Sequence, residues 1–133
     1  MRCVPHPREF AWLIGVDCSQ VVENALSLSQ KYAKEWGCTV LLKGAATIVT
    51  DGKRTLITNR GTAGQAKGGS GDVLSGVIAG LCASALGGFE GARTAAYLCG
   101  VAAELATADI GEYSLTATDV ISYLGKAFLA LQG

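Results

Sequence analysis

The sequence predicts an α/β layered domain in which a small, incomplete sheet is flanked by helices. Three observations lead there. The segments TVLLKG, ATIVTDG and RTLITN, rich in β-branched and aliphatic residues, follow one another between Thr39 and Asn59. A helical apolar pattern precedes them, and from Asp72 the chain is patterned as helix nearly to its end. Strands in one sheet with helices on its faces let both kinds of element bury their apolar sides.

Taken in order, residues Ser19 to Trp36 place Val21, Ala25, Leu28 and Tyr32 on one stripe at helical spacing, with Val22, Leu26, Ser29, Ala33 and Trp36 beside it. Ser19 is the predicted N-cap and Gly37 the stop. Gly44 separates the first two strand segments, and Asp51-Gly52 between apolar runs predicts a hairpin. Helices follow over Asp72–Leu86, Phe89–Ala108 and Thr118–Leu131, punctuated by Gly87-Gly88 and by DIGEYSLT. Only three strands can be read, or four if RCV near the start pairs, whereas sheets usually have about four to six. The expectation is a single domain over residues 1–133 with part of its sheet missing.

Composition narrows the function classes. The chain has 133 residues, 50% hydrophobic and 17% charged, which is globular rather than disordered composition. Eleven Lys and Arg balance eleven Asp and Glu without a basic block, so nucleic acid is not an expected partner. No apolar stretch approaches the ~20 residues of a membrane span, and Pro5, His6, Pro7 and Arg8 stand where a signal peptide would carry its apolar core. A cytoplasmic protein that meets small molecules is the expectation. Five cysteines without a CxxC pair, and one histidine, do not make a zinc site of the usual spacing, so no metal ligand is assigned and the thiols are read as buried or incidental.

The stretch AKGGSGDVLSGVIAGL, Ala66 to Leu81, carries the chemistry. Gly68, Gly69 and Gly71 let main-chain N–H groups come close to a ligand, and the following helix concentrates positive field at its first turn. Phosphate suits that place. Asp72 would repel a phosphate that was merely bound, but in phosphoryl transfer it can accept the proton of the attacking hydroxyl. The plainer reading of Asp72 is a helix-capping acid, and the tetrapeptide alone does not decide between them.

The longer string NRGTAGQAKGGSGDVLSGVIAGL, Asn59 to Leu81, resembles the signature of the ADP- or ATP-dependent NAD(P)H-hydrate dehydratases, a branch of the ribokinase-like superfamily. PHPREFAWLIG at Pro5 to Gly15 is similar to the family's PHPxEFxxLxG, and VLLKGAATIVTDG at Val40 to Gly52 to its VLLKGxxTxVxxxG. AAYLCGVAAELA and LTATDVISYL resemble its closing helices, so the likeness runs from Pro5 to about Leu131.

That resemblance implies a ribokinase-like layered fold of which only the C-terminal half is present, since family members carry roughly a further half-domain before the PHP motif. It implies repair of hydrated NAD(P)H with ATP or ADP, and Mg2+, by phosphorylation of the ring hydroxyl and expulsion of the phosphate. Asp72 matches the catalytic acid-base residue and also meets the substrate. Gly68, Gly69 and Gly71 match the anion-binding turn, and Lys43, Gly44, Ala45, Ala46 and Thr47 the nucleotide-binding segment. His6 matches the histidine that meets the hydrated cofactor. Glu9 is assigned to supporting that turn by hydrogen bonding and Asn59 to ordering the glycine loop. A solvent-exposed strand-end lysine and an idle loop histidine are the plainer alternatives.

A sheet lacking neighbours leaves unpaired backbone groups along an edge. A homo-oligomer, or a partner covering that edge, is therefore expected. The competing functions are a nucleotide-binding or assembly module without turnover, and another ribokinase-like small-molecule kinase; the PHPREF motif argues against the latter.

Overall fold

The computed structural model describes residues 2–44, 46–60, 70–84 and 86–132. The elements run β1 (Arg2–Cys3), α1 (Pro7–Ile14), α2 (Cys18–Glu23), α3 (Ala25–Trp36), β2 (Thr39–Leu42), β3 (Thr47–Thr50), β4 (Thr55–Thr58), α4 (Ser70–Ala83), α5 (Gly88–Ile110) and α6 (Ala117–Gln132). The architecture is α/β, with one four-stranded sheet in the order β1-β2-β3-β4. β1 pairs with β2 in parallel, Cys3 opposite Val40, so the RCV segment does pair. β2, β3 and β4 form an antiparallel meander, with Leu41 opposite Val49 and Ile48 opposite Ile57.

The chain divides into two compact units. The first comprises Met1–Thr58 with Gly87–Arg93, and the second Asn59–Leu86 with Thr94–Gly133. The first unit packs helices on its sheet around Phe10, Val21, Ala33, Val40, Leu42 and Ile48. Phe10 stands edge-on to both Tyr32 and Trp36, with centroids 6.0 and 6.1 Å apart, the arrangement that the ring quadrupoles favour.

The Asp-Gly hairpin joins β3 to β4 as predicted. Asp51 Oδ1 accepts the N–H groups of Lys53 and Arg54 at 2.9 and 2.7 Å, and Thr50 Oγ1 donates to the Arg54 carbonyl. These bonds favour the ionised Asp51 carboxyl, so its pKa is lowered, first by the Arg54 amide and further by the Lys53 amide and the Arg54 guanidinium. Gly52 has φ +90, and a Cβ there would stand 2.8 Å from Lys34 Cβ and 2.9 Å from its Cα. The turn can therefore lie against α3 only with glycine at this position.

Two helical expectations need correction. The single helix Ser19–Trp36 is two helices, because Asn24 leaves helical geometry at φ −122 and ψ 30 and turns its amide back onto the Gln20 carbonyl. The N-cap is Asp17 rather than Ser19, while Gly37, in left-handed geometry, does end α3. The second correction is α1, which was not foreseen.

In the second unit, Leu98, Ala102, Ala103 and Ala106 of α5 form a core with Leu115, Val120 and Ala127. Thr116 opens α6 with a capping box. Its N–H and Oγ1 both donate to Asp119 Oδ2 at 2.8 Å, and the Asp119 N–H returns a bond to its Oγ1. No helix among the described residues is long and apolar enough to cross a membrane.

Candidate functional site

In the first unit the sequence His6-Pro7-Arg8-Glu9 builds its own geometry. His6 is extended, at φ −87 and ψ 168, and serves as the N-cap of α1, with Pro7 in the first helical position, where a missing N–H costs nothing. The Glu9 N–H donates to His6 Nδ1 and the His6 N–H donates to Glu9 Oε1, each at 3.3 Å. His6 Nε2 lies 2.8 Å from the same Oε1. The reciprocal pair holds the imidazole against its own helix, exposed to solvent.

Lys43 follows directly on β2, and its main-chain N–H donates to the Pro5 carbonyl at 3.0 Å. This bond continues the parallel β1–β2 pairing beyond the strands, so the His6 and Lys43 segments leave the same end of the sheet side by side. The carboxyl ends of parallel strands are where open α/β sheets take their ligands. Gly44 is exposed, and Ala46 and Thr47 are half-buried where β3 begins. Among the described residues, Lys43 has no ion-pair partner.

Asn59, Gly71 and Asp72 belong to the second unit. α4 begins at Ser70, which puts Gly71 and Asp72 in its first turn, with Asp72 exposed. Further along α4, Leu74 and Ile78 are buried one helical turn apart. Ala45, Gly68 and Gly69 lie outside the described residues. The structure thus brings His6, Glu9, Lys43, Gly44, Ala46 and Thr47 into one unit and Asn59, Gly71 and Asp72 into the other.

Among the described residues, no group of three His, Cys, Asp or Glu side chains could hold a metal ion. The described thiols form no disulfide; Cys38 and Cys99 are buried, and burial pushes Cys99 up to about 11. Cys18 is exposed.

Two features were not read from the sequence. The Pro5–Lys43 bond joins residues remote in the chain and follows no local signal. The α1 capping box did have one, Pro at the first helical position and Glu two residues later, but with histidine in the place usually held by serine or threonine.

The comparisons with known proteins agree in direction. A family model described as NAD(P)H-hydrate dehydratase matches residues 3–126. The bifunctional NAD(P)H-hydrate repair enzyme Nnr of Moorella thermoacetica is 40% identical over 122 residues, covering 90% of this chain and 23% of that one. The ADP-dependent (S)-NAD(P)H-hydrate dehydratase of Cenarchaeum symbiosum is 40% identical over 120 residues, covering 90% and 42%. The crystal structure of the ADP/ATP-dependent NAD(P)H-hydrate dehydratase of Bacillus subtilis, co-crystallized with ATP/Mg2+, matches with a TM-score of 0.91 at 26% identity, over 97% of this chain and 47% of that one. The chain spans less than half the length of each of these three proteins.

Proposed function

The chain belongs to the NAD(P)H-hydrate dehydratase family, and we propose from that premise that it carries out, or supplies the nucleotide-binding half of, the nucleotide-dependent dehydration of hydrated NAD(P)H. The observation that carries the reading is the Lys43–Pro5 bond, which lays the lysine segment and the His6 segment side by side at the carboxyl end of two parallel strands. A phosphate donor and a hydroxylated ring need such adjacency.

In this reading the Asp72 carboxylate accepts the proton of the ring hydroxyl as its oxygen attacks the terminal phosphoryl group of ATP or ADP. The P–O bond to the nucleotide breaks, and the shortened nucleotide leaves with the electron pair. In the second stage the C–O bond to the ring breaks, phosphate departs, and the neighbouring carbon gives up a proton to restore the double bond. Lys43 meets phosphate as a point charge, with Gly44, Ala45, Ala46 and Thr47 continuing that contact. The first turn of α4, with Gly71 and the preceding Gly68 and Gly69, presents amides to the transferring group. His6 contacts the hydrated ring, Glu9 holds His6 through the capping box, and Asn59 supports the loop.

Mg2+ is expected to enter with the nucleotide, held by its phosphates, and no side chain of this chain is assigned as its ligand. Mg2+ would supply neutralisation of phosphate charge there. The proposal extends to a single ribokinase-like domain in the cytoplasm. In it the β4 edge, where Ile57 is 54% exposed, is covered by a second copy or a partner chain. A monodisperse monomer by light scattering overturns the second-copy form.

The test is recovery of reduced-nicotinamide absorbance from hydrated NADH and NADPH on the purified chain, with ATP and then ADP. Signal that requires nucleotide and disappears in Asp72→Asn, while nucleotide affinity stays near wild type, is the expected result. Nucleotide binding without turnover assigns the chain to a binding module, and absence of both overturns the reading.

A further inference from the structure

We propose that the outer stripe of α6 is an interaction surface whose partner is α6 of a second copy of this chain, docked antiparallel about a twofold axis. The surface is separate from the β4 edge and independent of the catalytic reading. One face of α6 is buried through Val120 and Ala127. The outer face is apolar too. Ile121 is 53% exposed, Phe128 40% and Leu129 68%, and they follow one another at helical spacing with Gly125 between them. A helix that is apolar on both faces is normally covered on both.

Gly125 points the same way. Glycine is a poor residue for a helix interior, and the fold of the chain gives no reason for this one. Its φ is not positive, and a Cβ there would meet nothing within 4 Å among the described residues. In the middle of an exposed apolar stripe, glycine lets a second backbone come close, because the distance between packed helices is set by the side chains at the contact.

The charges identify the partner. Asp119 and Lys126 are the only charged residues of α6, and at seven-residue spacing they stand on one flank of the stripe. A twofold axis sets this flank against itself in antiparallel order, so each Lys126 meets the copy's Asp119 and the pair is made twice. In a parallel arrangement the flank would meet the opposite one, which carries no charge. Lys126 is weakly held within its own chain: its Nζ lies 3.9 Å from Asp109 Oδ2, an oxygen that already accepts the Tyr123 hydroxyl at 2.6 Å. Asp119 caps α6 through Oδ2, and a carboxylate accepts through both of its oxygens. With the axis midway between the two charges, Gly125 comes beside the copy's Ile121, whose side chain fills the gap that glycine leaves. Exposed ion pairs add little affinity but fix orientation. The stripe is 16 residues, or about 24 Å, long, which is small for a specific interface, so the dimer is expected to depend on concentration.

The experiment is sedimentation velocity of the 133-residue chain from micromolar to near-millimolar concentration, for wild type, Gly125→Ala, Lys126→Glu, Asp119→Lys and Ile57→Lys, each with a thermal melt. Wild type is expected to shift from monomer to dimer. Gly125→Ala should raise the melting temperature of the monomer through better helix propensity and yet weaken the dimer roughly tenfold by holding the helices apart. A merely structural role for Gly125 would not produce that opposition. Lys126→Glu and Asp119→Lys each set like charges against each other and should weaken the dimer at least as much, while an equimolar mixture of the two restores it. Lys126→Glu and Gly125→Ala leave the cap at Thr116 untouched and carry the test if Asp119→Lys does not fold. Ile57→Lys should dimerise as wild type does. A monomer at every concentration overturns the inference, as does a dimer that Gly125→Ala and Lys126→Glu leave unchanged. Loss of the dimer in Ile57→Lys alone assigns it to the β4 edge and also overturns it.

Discussion

Lys43 donates its main-chain N–H to the Pro5 carbonyl at 3.0 Å, and through that bond two segments remote in sequence share one end of the sheet. His6, next to Pro5, is placed there twice over, by this bond and by its capping box with Glu9. The cap that His6 forms and the ligand contact proposed for it are separable. His6→Ala is expected to cost about 1 kcal/mol in urea denaturation, and His6→Asn, which restores an N-cap acceptor, only a few tenths. Under the proposed function both variants should lose turnover of the hydrated cofactor, so activity that follows stability rather than the imidazole would remove His6 from the proposed site.

Gly52 makes a sharper prediction. Alanine there must adopt a left-handed φ and also meets the Cα and N of Lys34, which cannot move aside as a flexible side-chain end could. Gly52→Ala is expected to cost more than about 2 kcal/mol, the sum of backbone strain and displacement of α3. An equilibrium unfolding curve within about 0.5 kcal/mol of wild type would show that the turn can stand off from the helix.

The pH dependence of the same hairpin has a definite sign. The Asp51 pKa is lowered in the folded chain, so the carboxylate contributes stability that is fully present above its unfolded pKa of about 4 and is lost as pH falls through the lower folded value. Asp51→Asn should therefore cost about 1 kcal/mol at neutral pH and progressively less below about pH 4. Thermal melts of both proteins from neutral to strongly acidic pH measure the difference. A gap that widens on acidification contradicts the assignment.

The thiols should divide by burial. Cys18 is exposed and should alkylate quickly in the native chain, whereas Cys38 and Cys99, buried and both held above the ordinary thiol range by desolvation, should alkylate only on unfolding. Peptide mass spectrometry after brief iodoacetamide treatment at mildly alkaline pH reads this directly. Rapid labelling of Cys99 would place α5 outside the core described for it.

Legibility in the sequence followed the range of each interaction. Asp51-Gly52 and Gly37 were readable because a turn needing positive φ names its own residue types. The last three helices were placed within a few residues, since their apolar repeats are long. The break at Asn24 was hidden because the stripe from Val21 through Ala25 to Leu28 keeps helical phase across it. At the site, the glycine-rich string and the VLLKG segment could be recognised in order along the chain. What the string could not convey was the Pro5–Lys43 pairing, since it depends on which distant residues folding brings into contact.

The strand pairings also imply an order in time. β2, β3 and β4 are joined by short turns, so their meander closes small loops, whereas β1 reaches β2 only by bringing Arg2 to Thr39. Loop-closure entropy makes the meander the early event and the parallel pair the late one. In refolding kinetics, substitutions at Val49 should slow folding, while substitutions at Val4 or Pro5 should chiefly speed unfolding. The reverse pattern would mean that β1 joins the nucleus. On this ordering the part of the molecule that brings His6 to Lys43 is the last to arrive and the first to leave.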